Sequence, residues 1–380
     1  MLTLLLLSCS GSTLVAPPEA ASLPIPDHAP RRLTATGAGR LHHEQSGPDW
    51  ATPNRAIGDE VFLLEGGHLD PDRQLTGGTH GAIAAIAGSS LVLELELDPA
   101  VPVDARLVPR GEGLPVQVDL GQGSAALDLE PRVGVWDLEI LVRPGPEQLR
   151  LSLPVVTTWA EPIAGTPLYE RMLIWTATWL EGLPARSVTP EDQVEAAEDR
   201  IALAVLRGIE AMGDRGERSY GAFMRPKDKD NQAHVWLDNK QSACGEYRGG
   251  YMAMVEQHGV DAQWVMMSFR KPSPETFSMY ETREIAAVGT EPKVWQHWNH
   301  VAVEVNGQLY DPTYALHHPT WGEYEDDLFA RYCTGEEDKC KTPGGWCQQE
   351  RPEGSCVDNP PGYDPDDPAM GMKVWRGDDY

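Results

Sequence analysis

Gln296-His-Trp-Asn-His-Val-Ala-Val-Glu-Val-Asn-Gly-Gln-Leu-Tyr-Asp-Pro-Thr313 decides the local fold. Asn306-Gly307 between alternating apolar residues specifies a hairpin with a two-residue type I′ turn. In that register Val305 faces Gln308, Glu304 faces Leu309, Val303 faces Tyr310 and Ala302 faces Asp311. Strand side chains alternate between faces, so His300, Ala302 and Glu304 share one face and Val301, Val303 and Val305 the other. Asp311 falls on the His300 face, one diagonal step away. Diagonal neighbours lie about 7–8 Å apart at the backbone, within reach of a carboxylate–imidazole hydrogen bond. Ala302 leaves the space between them open. The hairpin therefore predicts a His300–Asp311 pair from geometry. His297 is the rival base, but odd spacing from His300 puts it on the other face, without a partner comparable to Asp311. Glu304 is expected to be solvated or salt-bridged.

Upstream lies Gln241-Ser-Ala-Cys-Gly-Glu-Tyr-Arg-Gly-Gly-Tyr-Met-Ala-Met-Val-Glu-Gln-His-Gly259. Small and polar residues lead into an amphipathic run, and His258-Gly259 supplies a stop. Tyr247, Tyr251, Met254 and Val255 share a helical stripe that is expected to be buried. Cys244 sits at the mouth of this helix, where the positive end of the helix dipole favours a thiolate. A cysteine there, together with an oriented histidine, is the arrangement for thiol nucleophilic catalysis. A buried, inert cysteine is the plainer alternative.

Taken together, Cys244-Gly-Glu-Tyr247 opening a helix, Gly-Val-Asp-Ala at 259–262, His300-Val-Ala-Val-Glu-Val305 and Asp311-Pro-Thr313 resemble the transglutaminase-like superfamily of papain-type cysteine enzymes. The resemblance covers about residues 190 to 320. It implies Cys244 as nucleophile, His300 as its base and Asp311 as the residue orienting the histidine. It also implies a core of helices packed on an antiparallel sheet. Ala302 stands where the family often has Trp, and Gly245 where Arg or Lys is common; both bear on substrate choice more than on the triad.

The 380 residues allow two or three domains. A net charge of −27 argues against nucleic acid or anionic lipid head groups as electrostatic partners. The apolar run at 1–9 is too short to span a bilayer and resembles a bacterial lipoprotein signal ending at Cys9, the residue that would be lipidated. Membrane association is then expected only through that N-terminal lipid, in an exported protein of the cell envelope. Cys333, Cys340, Cys347 and Cys356, in a Pro/Gly-rich tail, read as two disulfides whose pairing among three possibilities is not readable. Zinc is disfavoured there, because no C-x-x-C pair and no His accompany them. No metal or cofactor is expected elsewhere; Asp364, Asp366 and Asp367 lack the spacing of a calcium cage.

The expected domains run in order. After the signal, residues 10–82 read as an irregular tether, with His42, His43, His68 and His80 solvated. Period-two alternation and Gly/Pro turns over 83–158 read as a small antiparallel β-sandwich. Residues 159–330 form the catalytic α+β domain. Within it, helices are expected at 168–180 and 189–213, the latter capped by Thr189 with Pro190 first; a polar loop follows at 215–231, and a long extended or looped stretch at 271–293. Residues 331–380 form the disulfide-rich tail.

The chemistry expected is acyl transfer on a protein or peptide through a Cys244 thioester, with the oxyanion held by the Cys244 N–H and a side-chain donor, Gln241 or Trp236. Hydrolysis by a peptidase or amidase is the leading reading. A cross-linking transglutaminase and an inert envelope scaffold are the alternatives.

Overall fold

The computed structural model describes residues 23–41, 60–70, 72–97, 101–121, 123–143, 148–221, 232–269, 276–297, 299–336, 356–358 and 372–376. It is mixed α+β and mostly strand, with several sheets and few helices. The first strands are β1 (Arg32–Thr36), β2 (Arg40–Leu41), β3 (Glu60–Leu69), β4 (Leu75–His80), β5 (Ile83–Ile86) and β6 (Ser90–Glu96). They continue as β7 (Val103–Pro109), β8 (Val116–Val118), β9 (Ser124–Asp128), β10 (Gly134–Val142) and β11 (Leu149–Thr158). One sheet has the order β4-β3-β1-β6-β9 and the other β2-β5-β11-β10-β7-β8. Alternation drives their packing: Leu91, Leu93 and Leu95 of β6 and Leu149, Leu151 and Leu153 of β11 point inward to one core with Trp136, Leu138 and Ile140.

Residues 32–80 thus supply strands where the sequence suggested a tether, and the sandwich begins well before residue 83. These strands are short or Gly-containing, as in Glu-Val-Phe-Leu-Leu-Glu-Gly-Gly-His-Leu of β3, so they carry little periodicity. The sandwich also departs from pure antiparallel pairing, since β5 runs parallel to β11. Cys9 and the 1–9 run lie outside the described residues, as do His42, His43, Cys340, Cys347, Asp364, Asp366 and Asp367.

The second half opens with α1 (Glu170–Trp179), α2 (Val194–Asp214), β12 (Ser219–Tyr220), α3 (Gln232–Asp238), β13 (Gln241–Ser242) and α4 (Cys244–Glu256). Then come β14 (Gln263–Phe269), β15 (Thr276–Thr282), β16 (Gln296–His297), β17 (Asn299–Val305), β18 (Gln308–Asp311) and β19 (Leu316–His318). The remainder is α5 (Trp321–Leu328), β20 (Phe329–Glu336), β21 (Cys356–Asp358) and β22 (Met372–Arg376). An antiparallel sheet runs β19-β18-β17-β14-β22, and a smaller one β16-β15-β20-β21.

Two expectations change here. Thr189 does not cap α2: its hydroxyl bonds the Ala185 carbonyl at 2.9 Å, a 3-10 turn at Glu191–Gln193 intervenes, and the helix starts at Val194. The stretch at 271–293, expected to be extended or looped, contains strand β15. The tail is not separate from the domain, because β20, β21 and β22 pair into its two sheets.

The β17–β18 hairpin divides two cores. Val303, Val305 and Tyr310 face α1, α2 and α4, joining Met172, Ile201, Val205, Tyr251 and Met254. Ala302 and Leu309 face the opposite way, onto Val265, Tyr324 and Leu328. Its turn is tied to α2: Asn306 Nδ2 donates to Glu198 Oε2 and Asp199 Oδ1, both at 3.1 Å, and Gln308 Nε2 donates to Asp199 Oδ2 at 2.7 Å.

Candidate active site

Cys244 is the first residue of α4, behind an extended Ala243 whose N–H donates to Glu246 Oε2 at 2.9 Å. That carboxylate on the third helical residue takes up a donor that Ala243, lacking a side-chain acceptor, cannot exchange reciprocally. Tyr247, Gly250, Tyr251, Met254 and Val255 form the buried face that seats α4. At Gly250 the Trp236 indole approaches so closely that a Cβ would lie 2.6 Å from it, so the close packing of α3 on α4 requires glycine. Cys244 itself is half-buried and not in a disulfide.

The hairpin has the register expected for Val303–Tyr310, Glu304–Leu309 and Val305–Gln308. His300 and Asp311 share a face and meet. His300 Nε2 lies 2.6 Å from Asp311 Oδ2, and both side chains are fully buried. The carboxylate is held from two further directions: Thr313 N–H donates to Oδ1 at 2.9 Å, and the Tyr324 hydroxyl to Oδ2 at 2.8 Å. Burial alone would push the His300 pKa down. The Asp311 charge and hydrogen bond, with the nearby Cys244 sulfur, outweigh it and push it up to about 10. Nδ1 of His300 is buried and has no hydrogen-bond partner among the described residues, and the Cys244 sulfur lies close enough to raise the ring's pKa.

His297 is placed differently from the expectation. It belongs to β16, which pairs with β15, rather than to the strand of His300. Its ring centroid lies 4.7 Å from that of His300, and its Nε2 bonds the Tyr314 hydroxyl. Burial, then the neighbouring His300 charge, holds its pKa well below 6.5. A neutral ring beside a cationic one is a packing partner, not a second base. Tyr314 also touches His300, with ring centroids 5.3 Å apart.

The two candidate oxyanion donors lie in unlike settings. Trp236 is fully buried, with the Arg218 guanidinium 4.4 Å from its ring centroid and its indole N–H unpartnered among the described residues. Gln241 is exposed in β13, its amide lying over Gly221. Glu304 is half-buried next to the hairpin turn. Cys333 and Cys356 stand opposite each other on β20 and β21.

Sequence reading missed Tyr220, Tyr314 and Tyr324. All three titrate high because burial, complete at Tyr314 and Tyr324 and partial at Tyr220, disfavours the phenolate, and the Asp311 and Cys244 charges push each of them further up. Only Tyr314, three residues after Asp311, carried a positional hint. No protein-family profile matches the chain, and no curated protein does.

Proposed function

We propose that this protein is a thiol-dependent acyl-transfer enzyme with a transglutaminase-like, papain-type core, acting as a hydrolase of peptide or amide bonds. The observation that carries the reading is the buried His300–Asp311 pair next to a half-buried thiol at the start of α4. The Cys244 sulfur attacks the acyl carbon and the carbonyl π pair moves to oxygen. Collapse of that adduct expels the amine, which takes the His300 proton, and leaves a thioester. Water, deprotonated by His300, then releases the acid and restores the thiol. Asp311 fixes the imidazole tautomer and balances its charge throughout. The Cys244 N–H, first in its helix and without an intrahelical acceptor, is one oxyanion donor.

The apolar leader ending at Cys9 supports export and lipid anchoring in the cell envelope, with a protein or peptide as substrate. A net charge of −27 offers no attraction to nucleic acid.

Reaction with iodoacetamide at pH 7, followed by peptide mapping, tests the nucleophile. Rapid alkylation confined to Cys244 in wild type, and slow alkylation in H300A, is expected. A Cys244 no faster than a free thiol in solution would leave an inert scaffold. Incubation with a protein substrate and dansylcadaverine separates the fates of the thioester: release of free acid marks a hydrolase, and fluorescent labelling a cross-linking enzyme.

A further inference from the structure

We propose that Tyr220 supplies the side-chain hydrogen bond to the oxyanion, an inference that rests on the acyl-transfer reading above. The parallel β12–β13 ladder sets Tyr220 directly opposite Ser242, two residues ahead of Cys244. Its backbone is fixed on both sides: Tyr220 N–H donates to the Val288 carbonyl at 2.7 Å, and Gly221 N–H to the Ser242 carbonyl at 3.0 Å.

The ring packs against neighbours of both the nucleophile and the base. Its centroid is 6.4 Å from that of Tyr247, one turn after Cys244 on α4, and 6.2 Å from that of Tyr314, which abuts His300. Trp295 packs edge-on at 4.9 Å and holds the ring from a third direction. Such a donor needs no reorganisation when charge develops, and this is the condition for strong oxyanion stabilisation.

Three further properties suit the role. The Tyr220 hydroxyl has no hydrogen-bond partner among the described residues, so it is free to donate. The residue is half-buried, and therefore reachable by a substrate carbonyl, unlike the fully buried Trp236. Burial, and then the Cys244 charge, keep the phenol protonated far above neutral pH. Gln241, the other sequence candidate, lies exposed over Gly221 without comparable packing.

The step balances simply. Sulfur forms a bond to the acyl carbon, the carbonyl π pair becomes the oxyanion, and the Tyr220 O–H donates to it without transferring its proton. When the adduct collapses, the C=O bond re-forms and the leaving group departs with its electron pair.

Two reactions of the same sulfur isolate the effect. Acylation by p-nitrophenyl acetate passes through an oxyanion, whereas alkylation by iodoacetamide displaces iodide at a saturated carbon and does not. In Y220F the nitrophenolate burst rate is expected to fall by about 10²–10³, the usual consequence of losing one oxyanion donor, while the alkylation rate stays within about twofold of wild type. Equal burst rates in Y220F and wild type overturn the proposal. A parallel fall in both reactions also overturns it, because Tyr220 would then position the sulfur or the fold. A wild-type protein that alkylates slowly and gives no burst removes the acyl-transfer reading itself, an outcome distinct from either.

Discussion

The imidazole of His300 is fastened at Nε2, 2.6 Å from Asp311 Oδ2, which leaves Nδ1 as the nitrogen available to sulfur. Asp311 can do this because Thr313 N–H and the Tyr324 hydroxyl hold its two oxygens while all three groups are buried. The carboxylate thereby favours the imidazolium in an interior where, isolated, it would lose its proton. The His300 ring is therefore expected to stay protonated at neutral pH and to deprotonate only near pH 10. Because the carboxylate raises the pKa against burial, D311N is expected to bring the transition down to neutral pH or below. Nitrogen-15 NMR of histidine-labelled protein reads this directly. A wild-type His300 that titrates near 6.5 would show that the pair is not ionised.

Tyr324 reaches Asp311 from α5, which packs on the Ala302 and Leu309 face of the hairpin. Y324F removes one of the donors to a buried carboxylate, which costs about 1–2 kcal/mol when the rest of the network persists. Urea denaturation is expected to show that loss. Acyl transfer should fall less than in D311N, since Nε2 keeps its acceptor. A Y324F enzyme as impaired as D311N would mean that the hydroxyl, not the carboxylate, sets the ring.

The hairpin was legible because its determinants are local. Asn306 and Gly307 both take positive φ, 50° and 76°, as a type I′ turn demands, and the turn fixes the register that joins His300 to Asp311. His297 was misplaced because alternation can be counted only within one strand, and β16 and β17 lie in different sheets. Tyr220 and Tyr324 were invisible for another reason: they arrive from distant segments through tertiary packing, which no spacing in the sequence encodes. Strands β3 and β4, rich in Gly and polar residues, were likewise indistinguishable from a tether until paired.

Gly307 offers a test of the turn without disturbing contacts. A Cβ there meets nothing within 4 Å, so G307A introduces only backbone strain at a φ of 76°. The expected cost is about 1–2 kcal/mol, visible as a lower melting temperature. Cys244 alkylation should persist in the folded fraction. No change in stability would argue against the left-handed turn.

His258 anchors the other end of α4. Its Nδ1 accepts the Trp159 N–H at 3.2 Å, its Nε2 lies 2.8 Å from the Thr176 hydroxyl, and the ring is fully buried. Burial pushes its pKa down to about 3. The unfolded chain therefore binds a proton that the folded one refuses. The contribution is full above about pH 6.5 and is lost progressively as pH falls toward 3. Glu256 works in the opposite sense: burial raises its carboxyl to about 7, so its contribution is full below about 4.5 and gone above 7. Comparing wild type with H258Q cancels the Glu256 trend. The stability gap between them in urea should narrow from pH 7 to pH 4.5 by about 2 kcal/mol. A gap independent of pH would mean that His258 is not held neutral.

The backbone register also selects among the disulfide pairings that the sequence left open. Cys333 on β20 faces Cys356 on β21 in an antiparallel ladder. Directly opposed residues in such a ladder have Cα atoms about 4.5–5.5 Å apart, inside the span of about 4.4–6.8 Å that a disulfide bridges. Cys333–Cys356 is thus the expected link, and Cys340 and Cys347 are left to each other. The first bridge would close a loop of about twenty residues and tie β21 to the sheet carrying β15 and β16, and so to the strand that holds His297 beside the catalytic ring. Non-reducing proteolysis with mass spectrometry should recover a 333–356 cross-linked peptide from protein produced in an oxidising compartment. Recovery of 333–340 or 333–347 instead would show that the ladder forms without its covalent tie.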